Sequence, residues 1–265
     1  MIPFFEYNAI IIGPIVIQVW GLLVATGMIT GLAFATWLAK KYFLAKEVIW
    51  DMVVWAIVGG LIGGRLAHVL FYEPAYYLQA PLEMLKIWHG GMSSTGGFIG
   101  AFLGLYLYAR RRKFKFTELL PYLDVLSISL WLGWGVGRIG CFFIHDHPGK
   151  LTNFFLAVSF SSGARHDLGL YEVILGLVIF GIYFSLFKIF AKKRWGLSTA
   201  SSFLTYAVVR FFLDFLRAED VPGSDVRYFF LTPAQWGMLV VALGLTFWLA
   251  KDRMLKPKVK NGEVA

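Results

Sequence analysis

The chain is 265 residues long, 58% hydrophobic and 18% aromatic, with only 15% charged residues and a formal net charge of +9. A soluble domain would carry roughly a quarter charged residues, so the composition excludes an ordinary soluble fold and indicates an integral membrane bundle. The single cysteine, Cys141, excludes an internal disulfide and leaves no cysteine-based zinc motif.

Apolar runs long enough to cross about 30 Å of hydrocarbon recur along the chain. They cover 16–39, 48–72, 91–109, 118–142, 168–187, 197–216 and 231–250, about seven in all. The first follows a short N-terminus with no basic leader and no small-residue cleavage site, so it is expected as a helix of the mature protein. Lys40, Lys41 and Lys46 follow the first run, and Arg110, Arg111, Arg112, Lys113 and Lys115 the third. Lys188, Lys192, Lys193 and Arg194 follow the fifth, and Lys251, Arg253, Lys256, Lys258 and Lys260 the seventh. Basic residues on alternate connections put the N-terminus outside and the C-terminus in the cytoplasm. The positive charge then reflects topology and contact with anionic membrane lipid, and no nucleic acid partner is expected.

The expected fold is an all-α integral membrane protein, one polytopic domain over 1–265. Its outer-face loop region comprises segments near 72–90, 143–167 and 217–230. The first segment, with Tyr72, Tyr76, Tyr77, Trp88, Pro74 and Pro81, reads as interfacial. In the second, 153–160 predicts a short strand. The Lys-rich C-terminal end is expected to be disordered. The spacings Gly59-x-x-x-Gly63, Gly60-x-x-x-Gly64 and Gly96-x-x-x-Gly100-x-x-x-Gly104 predict closely packed helices. Gly90–Gly97, around Ser93, Ser94 and Thr95, predicts a helix break that turns backbone amides toward a polar cavity.

The second, fourth and sixth runs each carry an arginine near the outer end: Arg65, Arg138 and Arg210. Asp214 and Arg217 lie four and seven residues beyond Arg210, on one helix face. The remaining polar content (Gln18, Ser93, Thr95, His166, Tyr171, Glu172, Gln235) falls at the same leaflet. An embedded charge costs at least a few kcal/mol and is by default functional or paired. Arg65–Glu73 and Arg210–Asp214 could be structural pairs. Several guanidiniums at one leaflet suit an anionic ligand, and arginine matches phosphate bidentately. The residues therefore read as an outward-facing phospholipid headgroup site.

The same residues resemble the prolipoprotein diacylglyceryl transferases, as a divergent member, over nearly the whole length. The matching pieces, in order, are GGLIGGRLAHVLFY, GGMSSTGGFIG, GRIGCFFIHDHPG, HDLGLYE, YAVVRFFLDFLR and TPAQWG. The resemblance implies an enzyme of the bacterial cytoplasmic (inner) membrane with seven spans and an outer N-terminus. It would transfer the diacylglyceryl group of phosphatidylglycerol to the lipobox cysteine thiol of a preprolipoprotein signal peptide. A thioether forms, glycerol phosphate leaves, and no metal, nucleotide or other cofactor is implied. In that reading Arg138 and Arg210 hold the phosphate and stabilise its developing charge. Gly137, Gly140 and Gly149 match signature glycines, and Tyr206 a tyrosine one turn before the second arginine. Asp146 and Asp214 stand where the family has glutamates. Arg65, Gly96, Gly97, Arg217 and Gln235, inside the matching pieces, are expected substrate contacts.

The departures are informative. Thr95 stands where the family has a functional histidine, Cys141 where it has asparagine, and Trp20 where it has tyrosine. Of a His-Pro-x-Gln-x-Tyr-Glu run only His166, Tyr171 and Glu172 remain. The phosphate-binding part is retained and the proton-handling part altered. His145 or His147, beside Asp146, is the expected replacement base; the alternative is two solvated loop histidines. The apolar flanks of Cys141 indicate an inert thiol. A lipid-binding homologue with another acceptor or without catalysis is the rival reading. An intramembrane serine protease, suggested by Gly91-Met92-Ser93-Ser94, lacks a matching histidine and leaves the arginines unexplained. A transporter is disfavoured by the apolar inner halves.

Overall fold

The computed structural model describes residues 1–86, 90–221, 224 and 227–255, without the side chains of 94, 95 and 252–255. Trp88 and most of the basic C-terminal end lie outside the described residues. Among the described residues eight α-helices follow one another: α1 Val19–Lys41, α2 Lys46–Phe71, α3 Pro74–Gln79, α4 Ser94–Arg111, α5 Phe116–Ile144, α6 Leu168–Lys193, α7 Leu197–Leu213 and α8 Pro233–Leu255. Six of them, α1, α2, α5, α6, α7 and α8, are long and apolar enough to cross a membrane. The remaining expected run coincides with α4, whose four glycines and polar first turn dilute its apolar content. Lys40 and Lys41 close α1, and Lys192 and Lys193 close α6, where cations favour the helix dipole.

Among the described residues six short strands accompany the helices, where the sequence predicted one. Strands β1 (Ile2–Pro3), β4 (Pro148–Leu151), β5 (Val158–Phe160) and β6 (Gly163–Asp167) form a sheet in the order β1-β5-β6-β4. Only the last three residues of the expected strand at 153–160 are extended. Strands β2 (Ala9–Ile12) and β3 (Ile15–Gln18) form an antiparallel hairpin. The β-branched run Ile10–Ile12 is mirrored by Ile15, Val16 and Ile17 across a Gly13-Pro14 turn in which Gly13 has φ 60°. The first helix therefore starts at Val19, three residues later than its apolar run.

Contacts cluster into two compact units, one of 34–123 and one of 1–33 with 124–265. In the first of these, α2 and α4 meet along the predicted glycine spacings. A Cβ on Gly63 would lie 2.7 Å from the Gly100 Cα, so a side chain at either position would force the helices apart. Asp51 on α2 also accepts from Arg112 at 2.8 Å, just beyond α4. The aromatic connection after α2 folds into α3 and a 3-10 turn, Pro81–Leu85.

In the other unit, α5 carries the core against its neighbours. Trp131 packs against Tyr206 of α7, the rings tilted by 36° with centroids 4.8 Å apart. Asp124, fully buried, accepts from the Gly196 and Thr199 amides at 2.7 and 2.8 Å and so caps α7. Asp167 caps α6 by accepting from Leu170 N at 2.9 Å.

Candidate active site

The site grows from the point where α5 stops. His145 adopts a left-handed φ of 49°, which ends the helix and turns the chain back. His147 O accepts from Leu168 N at 3.1 Å, fixing the returning strand to the start of α6. At Gly149, which bridges to Arg217, a Cβ would lie 2.6 Å from the His166 Cβ and 2.7 Å from Leu216 O. Only glycine lets β4 slip between those two backbones.

Inside this frame Arg138 on α5 and Arg210 on α7 converge on one carboxylate of α6. Arg138 Nε lies 2.8 Å from Glu172 Oε2, and Arg210 Nε 2.8 Å from Glu172 Oε1. Arg210 Nη1 also reaches Asp214 Oδ1 at 2.7 Å, and Arg217 Nη1 lies 3.6 Å from the same oxygen. Asp214 Oδ2 accepts from the Thr232 hydroxyl. The Tyr206 hydroxyl donates to Glu172 Oε2 at 3.4 Å. Arg138 further stacks its guanidinium over Trp134, 4.4 Å from the ring centroid. Glu172, Asp214 and Arg210 are buried, whereas 19% of the Arg138 side chain stays exposed, against 9% for Arg210. Arg138 is thus the more open face of the cluster.

The other expected site residues separate into groups. His166 Nδ1 and the Tyr171 hydroxyl are hydrogen-bonded at 2.6 Å, and burial pushes the His166 imidazole below its usual pKa of 6.5. Gln235 is fully buried and acts on the protein itself. It accepts from Thr232 N at 2.9 Å, while its own amide donates to Thr232 Oγ1 at 3.2 Å. This reciprocal pair is a capping box at the start of α8, and the spacing Thr-x-x-Gln was its unused sequence signal. Gln235 Nε2 donates to Phe211 O at 3.1 Å.

The two candidate histidines part company. His145 is buried among Phe4, Phe5, Phe142 and Phe160, with ring centroids 5.0 to 5.5 Å away, and its Nδ1 lies 2.6 Å from Asp167 Oδ2. It ties the N-terminal segment, the end of α5 and β6 together. His147 is half-buried and hydrogen-bonded to Asp146 through Nδ1. Cys141 is buried and accepts from Arg138 Nη1 at 3.4 Å. Gly140 lies against Trp20 of α1, 3.1 Å from a built Cβ to the Trp20 Cα, and Gly137 lies against Val24.

In the 34–123 unit, the glycine cluster breaks the helix as expected; the Gly90 and Gly91 carbonyls turn toward Arg65, and the Ser93 amide donates to Gly64 O at 2.9 Å. Arg65 Nε donates to Met84 O at 3.0 Å, and Nη2 to Glu83 O and Lys86 O at 2.5 and 3.2 Å. Its Nη1 donates to Gly91 O at 2.9 Å and also to Gly90 O. Arg65, expected to contact substrate, instead ties down the segment after α2. Glu73 sits 3.9 Å from His68 and not on Arg65. Gly96 packs against Gly63 and Ala67, and Gly97 against Gly60. The Thr95 side chain lies outside the described residues.

The family profile described as prolipoprotein diacylglyceryl transferase matches residues 8–250. The phosphatidylglycerol–prolipoprotein diacylglyceryl transferase of Nitrosomonas europaea is 32% identical over 93% of this chain and 90% of its own length. That of Nitratidesulfovibrio vulgaris is 34% identical over 93% of both chains, and that of Brucella anthropi 32% over 92% of both. With a profile matching nearly the whole length and relatives of this identity, the chain belongs to the prolipoprotein diacylglyceryl transferase family.

Proposed function

We infer that this protein is a phosphatidylglycerol–prolipoprotein diacylglyceryl transferase of the bacterial inner membrane, with seven spans, an outer N-terminus and a cytoplasmic C-terminus. The observation that carries the reading is the convergence of Arg138 and Arg210, from two helices, on the two oxygens of Glu172. Their Nε atoms grip two acceptor oxygens of one anionic group, which is the geometry a phosphodiester needs.

In the reaction the lipobox thiol loses its proton and its sulfur attacks the glyceryl carbon. A C–S bond forms, the bond between that carbon and the phosphate ester oxygen breaks, and glycerol phosphate leaves with the electron pair. Leaving raises the negative charge on phosphate, so guanidiniums aimed at it stabilise the transition state more than the ground state. Arg138, the more open of the two, takes the phosphate, and Arg210 is held in place by Glu172 and Asp214. Tyr206 fixes Glu172. His147, held by its Nδ1 hydrogen bond to Asp146 with Nε2 left to accept, receives the thiol proton.

Reconstitution with phosphatidylglycerol and a peptide carrying a lipobox tests this reading. A mass gain of one diacylglyceryl group on the peptide thiol is expected, lost in Arg138→Ala and Arg210→Ala. A wild-type protein that binds phosphatidylglycerol and yields no thioether would overturn it.

A further inference from the structure

The turn at His145 has a second consequence, because it folds residues 146 and 147 back over the last turn of α5. Cys141 Sγ, an Asp146 carboxylate oxygen and a His147 ring nitrogen all lie within 4.8 Å of one another. Five and six residues separate the aspartate and histidine from the cysteine, a spacing that is no helical repeat and arises from the left-handed residue between them. We propose that Cys141, Asp146 and His147 form a binding site for a zinc-class divalent cation.

The donor set is the argument. Thiolate, imidazole and carboxylate together select a borderline-soft ion such as zinc over magnesium or calcium, which take oxygen ligands. Bonds of about 2.0–2.3 Å to three tetrahedral donors place those donors roughly 3.3–3.8 Å apart, so rotamer adjustments of about an ångström close the site. Three protein ligands leave a fourth position open. Cys141 is buried, while Asp146 and His147 keep 32% and 25% of their side chains exposed, which gives the ion an entry path. The opposing charge is Arg138, 3.4 Å from the sulfur through Nη1, and its Nε is already paired with Glu172. Binding displaces the thiol proton, so the thiolate and Asp146 bring two negative charges to the ion. The protein backbone here is fixed before any ion arrives, by the Leu168–His147 hydrogen bond and by Ala218 N donating to Pro148 O at 3.2 Å.

Resting on the transferase reading, the consequence is inhibition: an ion on His147 and Asp146 removes the proposed proton acceptor. Cobalt(II) titration of the purified full-length protein in detergent reads binding without turnover. The wild type should show an intense near-ultraviolet sulfur-to-cobalt band that zinc displaces. Cys141→Asn should lose the band while keeping its thermal unfolding midpoint. His147→Gln should weaken binding about tenfold or more. A wild type with no sulfur band overturns the site, and so does a band that survives in Cys141→Asn. Should Cys141→Asn fail to fold, the wild-type titration and His147→Gln still decide. Because absorption reports binding alone, failure of the transferase reading would leave this result standing, and failure of the site would leave transferase activity intact.

Discussion

Replacing Arg138 by lysine separates charge from geometry at the proposed phosphate. Lysine keeps the charge but offers no planar fork, so the carboxylate pairing at Nε and the stacking on Trp134 are both lost. Turnover should fall about a hundredfold or more while phosphatidylglycerol binding weakens less, because the missing contact matters most as charge develops. Equal losses in kcat and in substrate binding would assign Arg138 to ground-state binding alone. Arg210→Ala is expected to act differently. It takes one of two guanidiniums from Glu172 and the nearer of two from Asp214 in a buried site, and breaking a buried pair costs about 3–5 kcal/mol. Its unfolding midpoint in detergent should therefore drop well below that of Arg138→Ala. His166 sets a pH dependence at the same scale. Burial lowers its pKa in the folded state, so the unfolded chain takes up the proton first as pH falls below 6.5. Its contribution to stability is present above 6.5 and lost as pH falls through the lowered folded value. The midpoint should decline over that acid window, and His166→Gln should flatten the decline; an unchanged slope would assign it to other groups.

Along the elements, what the sequence disclosed depended on whether a feature's partner was local. The glycine spacings of α2 and α4 announced a close helix pair because each partner repeats at a fixed interval on its own helix. Gly100→Val should lower the unfolding midpoint by an amount equivalent to about 1–3 kcal/mol, since its side chain meets the Gly59 carbonyl and the Gly63 Cα. Gly181→Ala, on α6 with nothing within 4 Å of a built Cβ, is the control and should be neutral or stabilising. A midpoint unmoved in both would mean that α2 and α4 separate freely. Arg65 was misread for the opposite reason. By position it matches Arg138 and Arg210, but its partners are the carbonyls of residues 83, 84, 86, 90 and 91, and carbonyls leave no trace in residue identity. His145 and His147 flank Asp146 symmetrically in the chain, and only the backbone turn between them sends one ring into the aromatic cage. The hairpin before α1 was hidden by composition, because a β-branched run reads as membrane-apolar as readily as it reads as strand.

For the molecule as a whole, the alternation of basic connections is the feature on which the proposed orientation, and with it the leaflet that supplies the substrate, rests. Phosphatidylglycerol and an incoming signal peptide reach Arg138 and Arg210 only if the ends of α5 and α7 that carry them lie at the outer face. The lysines that close α1 and α6 argue for that orientation, since translocating each cationic cluster would be unfavourable. The chain's one cysteine is buried, so introduced thiols can be scored against a low background. Ser161, exposed between β5 and β6, and Lys115, exposed just before α5, sit on connections of opposite proposed sidedness. A membrane-impermeant thiol reagent added to intact cells should label Ser161→Cys at once and Lys115→Cys only after permeabilisation. Labelling in the reverse order would put the arginine cluster at the cytoplasmic leaflet, where an exported lipobox cysteine could not reach it.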